Sequence, residues 1–467
     1  MNKTIIFVLV SLFTSICFAN TIVNNTIKLP KEFKVLNTFS GEISDTKSFH
    51  LILSKNRKNN NYSIHSYTFE NSTIKELKVI ENDQLYSVVS FHKEKNILTI
   101  LFSYTKKGKE YLQKVNINFI TNTFSKEKAT SHKNFEASFK EKNRSVLLYK
   151  HKNELICEQY IGSDKKINSK YNFEKYNDKI KVILRDEAVS TINTDEYVKN
   201  GSVNSLNAYL KNDQIYFTKY NKYKKTTSVL KINIKDSILK PLVIDIKNYN
   251  KVKLFKKNRS FFYGNKLFYL GLNKKEGVIK ITDITNKKTL NTILIDSSLN
   301  SKIKGNESFE GIEKFLKNAG KNKYIPTITV NKAVHNTLII RVDYVDQTYS
   351  YNNNWWFFNQ QMQFHNQMLR APGGFGPNSQ MEYYFNNATT NKENRFFEML
   401  VDQNGILLDK ELTKTVYKQI DKKKHREKLK ETIDISKESS CFLKNSFRYI
   451  GYSKKLKEFV IQTNTLK

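Results

Sequence analysis

The chain has few of the residues that build disulfide frameworks, metal centres or nucleophilic elbows. Three cysteines occur in 467 residues, Cys17, Cys157 and Cys441, and none forms a CxxC pair. Cys157 and Cys441 sit inside apolar, strand-like runs and read as buried free thiols rather than a bridge. The eight histidines never fall at HExxH spacing, so no metal site is expected. There is no GxSxG turn and no phosphate-cradling glycine-rich loop. The segment APGGFGP at 371–377 has only the glycines of such a loop; its two prolines and lack of lysine describe a rigid turn. No cofactor fingerprint is present. Acids are scarce as well, 44 against 79 Lys and Arg, giving a net charge of +35. That balance favours anionic partners, unless lysine is merely the default surface residue of an Asn-, Lys- and Ile-rich chain.

Long apolar runs are absent beyond the start of the chain. Residues 1–19 read as a secretory signal peptide: Lys3 in a short basic head, the run IIFVLVSLF continuing to Phe18, and Ala19 at the cleavage point. An uncleaved anchor is the alternative, but Asn20 ends the run short of the roughly 20 residues a span needs. The expectation is an exported protein, periplasmic, cell-surface associated or extracellular, with no transmembrane segment in the mature chain. Export makes nucleic acid a poor partner.

From residue 20 onward, short Tyr-, Phe-, Ile-, Val- and Thr-rich runs alternate with turns. They repeat as a unit, clearest in the second copy: LYSVVSF, ILTILFSY, YLQKVNINF and TFSKEKAT, separated by tight polar turns. The second strand of the unit recurs near Phe49, Ile97, Ser145, Gln214, Lys266, Thr337 and Ser446, at spacings of 48, 48, 69, 52, 71 and 109 residues. A four-stranded antiparallel unit with this period resembles a β-propeller blade. The last copy ends after its third strand, EFVIQTNT, while TIVNNTIKL near residue 21 is an unassigned strand. Supplying the missing strand from the N-terminus closes the ring and removes the exposed edges. The expected fold is therefore an all-β, seven-bladed propeller over residues 20–467, with a few short helices in insertions such as the one carrying Phe309, Ile312, Phe315 and Leu316 and the one carrying Leu412, Val416 and Ile420. Two packed β-sandwiches or a β-rich solenoid are the alternatives.

In such a meander, all turns between second and third strands lie at one end, together with the crossings between units. Six of these turns, over 54–61, 105–110, 150–153, 219–225, 273–277 and 453–457, hold 17 Lys and Arg against 2 acids. The first-to-second turns hold 9 against 5, near the chain-wide ratio. Uniform composition predicts equal ratios. The candidate binding residues are accordingly Lys55, Arg57, Lys58, Lys106, Lys107, Lys109, Lys222, Lys224, Lys225, Lys274, Lys275, Lys454 and Lys455.

The seventh such turn, in the sixth unit, is overgrown. Residues 347–381 contain both tryptophans and three of the five methionines, and one charge where the 26% average predicts about nine. Either Trp355, Trp356 and the neighbouring phenylalanines cap the ring, or the segment is an exposed aromatic and amide platform that includes Phe364 and Arg370. Enzymatic activity is uncertain, because the only catalytic prospect is that Asp186, Glu187, Asp343 or Asp346 meet as a carboxylate pair. The favoured reading is a non-catalytic binding or scaffold protein for an anionic partner: a polysaccharide, a lipopolysaccharide or an acidic protein. A carbohydrate-active hydrolase or lyase is the alternative.

Overall fold

The computed structural model describes residues 23–465 except 133–134, 142, 152–153, 173–179, 181–182, 185–188, 196, 199–200, 222–223, 236–239, 248–254, 347–394, 409–410, 412–414 and 417–434. The signal-peptide residues and the aromatic stretch, with Trp355, Trp356, Phe364 and Arg370, lie outside the described residues, as do Lys222, Asp186 and Glu187. Among those described, no helix is long and apolar enough to cross a membrane.

The described chain forms seven sheets, each built on an antiparallel meander, numbered here in sequence order. Their second strands show why. Ser48–Asn56, Ile97–Lys106, Arg144–His151, Gln214–Asn221, Lys266–Leu272, Leu338–Asp346 and Ser446–Ser453 are near-continuous apolar runs rather than alternating ones. In sheet 5, KLFYLGL is buried from its second residue to its last. Such a strand has neighbours on both sides and a packed sheet on both faces. Fourth strands differ: in sheet 3, Lys165–Asn172 alternates exposed and buried positions, as an edge with one covered face should.

Consecutive sheets pack against one another through large side chains. Phe39 and Phe49 of sheet 1 meet Phe91 of sheet 2 edge-on, with ring centres 4.8 and 5.4 Å away. Tyr209 and Tyr216 of sheet 4 meet Phe262 of sheet 5. The first strand of sheet 1, Phe33–Glu42, also lies against the first strand of sheet 7, Ile435–Phe442. Sheet 7 takes its fourth strand from the other end of the chain: Val23–Ile27 pairs antiparallel with Glu458–Thr465, in register from Val23 with Thr463 to Ile27 with Phe459. Ile27 buries itself there with Ile450, Phe459 and Ile461.

Sheets 1, 2, 4 and 6 depart from a uniform four-stranded repeat; in sheets 1 and 2 the fourth position is shared by two short strands, Thr73–Glu76 with Ile80–Asn82 and Thr123–Lys126 with Thr130–His132. Sheet 4 gains a fifth strand, Val189–Ile192, parallel to its first strand Leu206–Lys211. Between these two strands, Val198 N–H donates to Asn331 Oδ1, Asn331 Nδ2 donates back to Val198 O, and Gly201 N–H donates to Thr329 Oγ1. The crossing is thus stitched onto the first strand of sheet 6, Tyr324–Lys332. A Cβ on Gly201 would stand 2.3 Å from the Phe261 ring, so only glycine permits this approach. In sheet 6, the position beside the third strand Phe397–Val401 is filled by Lys304–Gly305, which precede the sheet in sequence. The expected helix containing Val416 is not formed at that residue: Thr415 bridges Ala333, Val416 N–H donates to Lys332 O, and backbone pairing with the sheet replaces helical bonding. The other expected helix is present as Ile312–Ala319, with Ile312, Phe315 and Leu316 buried and Gly320 closing it onto Leu316 O. Phe309 stands just before it and packs on Phe315 and Phe397.

Candidate functional site

The strand pairing puts the turns between second and third strands at one end of each sheet. In sheet 2, Lys106 and Lys109 face each other at the close of the hairpin, with Lys107 and Gly108 both at positive φ, the geometry that a two-residue hairpin loop requires. Arg57, Lys58, Lys106, Lys107, Lys109, Lys224, Lys225, Lys274, Lys275, Lys454 and Lys455 are exposed, and Lys55 is half-buried with its ammonium 5.7 Å from the Tyr62 ring centre. Lys106 also binds Asp83 of the preceding crossing at 2.9 Å, and that hydrogen bond raises its pKa. The structure therefore places the described members of the predicted set at hairpin tips. The two strands flanking the aromatic stretch, Leu338–Asp346 and Phe397–Val401, pair with each other, so the stretch joins second and third strands of sheet 6.

At the opposite end, polar side chains are spent on joining sheets, which sequence reasoning missed. Four junctions use one device, a side chain of one sheet donating to a carbonyl in or beside the third-to-fourth turn of the next. Arg448 of sheet 7 donates to Phe69 O, His92 of sheet 2 to Gly162 O at 2.8 Å, Gln159 of sheet 3 to Ile234 O, and Asn291 of sheet 5 to Gly405 O at 2.7 Å. Because His92 Nε2 faces a carbonyl, it carries the ring proton, and Nδ1 accepts from Ser145 Oγ at 2.9 Å. Arg144 adds ion pairs to Glu141 in its own sheet and to Asp213 in sheet 4. No sequence periodicity marks the four clasps, since each acceptor is a backbone carbonyl.

The junction of sheets 7 and 1 is the most developed. Arg448, 5% exposed, donates to Ser48 Oγ (2.9 Å) and Thr46 O (2.8 Å) as well as to Phe69 O, and lies over the Phe69 ring. His50 is held by Ser40 and Ser48 at 2.8 and 2.9 Å, and Ser40 reaches Ser439 of sheet 7 at 2.7 Å. Burial first, and then the charge of Arg448, lowers the His50 pKa to about 3. Burial likewise lowers His65 to about 4, and raises both free thiols, Cys157 and Cys441, to about 12, where they are unreactive.

Of the four carboxylates considered for catalysis, Asp343 alone has a described side chain. It is buried and bound to Arg341 at 3.1 Å, with Glu398 3.7 Å from the same guanidinium. Burial raises the Glu398 pKa against the pull of Arg341, and burial also raises that of Tyr197, which hydrogen-bonds Arg341. One cation held between two carboxylates is an internal ion triad. Among the described residues, no group of three His, Cys, Asp or Glu is placed to hold a metal.

No family model and no curated protein matches this sequence. Solved structures do resemble it at low similarity. The β-propeller domain of the Trilobed protease from Pyrococcus furiosus is 9% identical, with 94% of this chain and 97% of that one covered and a TM-score of 0.35. The WD40 domain of SCAP from fission yeast is 8% identical, covering 95% and 94%, with a TM-score of 0.27. A prolyl endopeptidase structure is 6% identical, with 66% of this chain covered, a TM-score of 0.27, and only 38% of its own length spanned. Likenesses at this level transfer no activity. What the described residues establish is an all-β chain of repeated antiparallel sheets with few helices.

Proposed function

We propose that the seven sheets close into a seven-bladed β-propeller, with the N-terminal strand completing the last blade. On this reading the exported chain is a non-catalytic binding or scaffold protein whose lysine-tipped face holds an acidic glycan, either a polysaccharide or a lipopolysaccharide. An acidic protein is the other partner of matching charge. The ring is supported by the pairing of Val23–Ile27 with Glu458–Thr465 and by the packing of sheet 7 on sheet 1. The observation that carries the function is the contrast between the two sets of turns. Second-to-third turns hold 17 basic residues against 2 acids and first-to-second turns 9 against 5, and the described candidates at the first set are exposed, with Lys55 half-buried. Lysines converging at one end sum to a field that concentrates polyanions.

A titration of binding to an acidic polysaccharide against salt tests this. Affinity should fall about tenfold or more from low to high ionic strength as exposed charges are screened; absent or salt-independent binding would refute it. Deleting 351–378 asks separately what the aromatic stretch does. A folded protein with weakened glycan binding identifies a platform, whereas loss of folding identifies a cap.

A further inference from the structure

A cavity of about 310 Å³ opens between sheets 1 and 7 at the end of the strands away from the lysine hairpins. Its walls come from distant parts of the chain: Thr46 and Asn71 from two turns of sheet 1, and Asn445, Ser446, Arg448 and Thr463 from sheet 7. Thr463 faces Val23 of the N-terminal strand in the pairing register. The volume is at the lower end for ligand sites, about 300–1,000 Å³.

We infer that this cavity binds a singly charged carboxylate on a hydroxylated or amide skeleton, the size of one sugar acid or of a peptide's C-terminal residue. Arg448 is the buried cation of the site, and its described hydrogen bonds end on neutral oxygens of Ser48, Phe69 and Thr46. Its Nη2 makes one of two possible bonds, which leaves a donor of the planar kind that suits a carboxylate. Thr463 Oγ1 is buried without a hydrogen-bond partner, a cost that a ligand oxygen would remove. At the rim, Lys444 is paired with Asp45 at 3.3 Å, and both are largely exposed. The two rim charges offset each other, which leaves the single guanidinium charge of Arg448 to match a monoanion better than a dianion such as phosphate. A ligand here touches the sheets at both ends of the chain, so its binding stabilises their junction by linkage.

Calorimetry and thermal melting of the full chain with glucuronate, with an N-acetylated dipeptide and with inorganic phosphate test the assignment. Saturable binding of glucuronate or of the dipeptide, with a raised Tm, is expected, and the arm that binds names the source of the carboxylate. Asn445→Trp, in an exposed turn, fills the cavity and should weaken binding about tenfold or more without shifting the Tm of the free protein. Thr463→Val keeps the shape and should cost about fivefold, one hydrogen bond; it carries the test if the Trp variant fails to fold. No saturable binding of either carboxylate, phosphate binding as tight as theirs, or binding indifferent to both substitutions would overturn the inference.

Discussion

At one end of the strands Arg448, His92, Gln159 and Asn291 each hold a carbonyl of the neighbouring sheet. At the other, Lys58, Lys107, Lys225, Lys275 and Lys455 stand exposed on hairpin tips. The difference separates two uses of polar residues. A buried donor fixes geometry and is costly to remove, because its partner is left unsatisfied. A charge on an exposed tip contributes little to stability, so its accumulation at one end calls for a reason outside the fold.

Breaking the joined end should have the largest effect. Arg448→Ala leaves Ser48 Oγ, Phe69 O and Thr46 O without their donor, and urea denaturation should show a loss of about 3 kcal/mol or more. Gln159→Leu leaves Ile234 O without its donor and takes one acceptor from Arg144, which keeps its carboxylate partners, and should cost about 1–2 kcal/mol in the same assay. Acid probes buried histidines towards both ends, His50 and His92 at the joined end and His65 beside Ser54 at the lysine end. The pKa values of His50, His65 and His92 are lowered in the folded state, chiefly by burial. Their stabilising contribution is complete above the unfolded value of about 6.5 and is lost as pH falls towards the folded values, about 3 for His50 and about 4 for His65. His50 and His65 each add a slope of about 1.4 kcal/mol per pH unit within that window. His65→Phe should remove one such slope between pH 6 and 5. The smallest effect belongs to the lysine end: Lys454→Ala with Lys455→Ala should shift stability by no more than about 0.5 kcal/mol while weakening glycan binding.

Much of this plan is legible in the residues. KLFYLGL announces a doubly covered strand because no charged or amide residue interrupts it after Lys266, and in ILTILFSY only the small hydroxyls of Thr99 and Ser103 do. The unpaired TIVNNTIKL together with a last unit one strand short points to pairing of the chain ends, and Phe315 and Leu316 mark the helix that Gly320 closes. What escapes is structure without a side-chain signal. Lys304–Gly305 is too short to read as a strand, VSTI at 189–192 pairs in parallel against the meander, and Val416 carries a helical period whose backbone bonds to a sheet instead. The clasps and the Arg448 cavity were hidden for a related reason. Their acceptors are carbonyls, and the cavity walls are up to about 400 residues apart in sequence, a separation no local pattern can encode.

The most direct measurement exchanges charge at each end separately. One variant reverses Lys58, Lys107, Lys225, Lys275 and Lys455 to Glu; a second reverses Lys95, Lys165, Lys287, Lys288 and Lys332, exposed at the other end. Both change the net charge equally, so any difference reports position. Affinity for an acidic polysaccharide should fall at least about tenfold in the first variant and change little in the second. Equal losses in the two would contradict the account and reduce the lysine face to bulk charge.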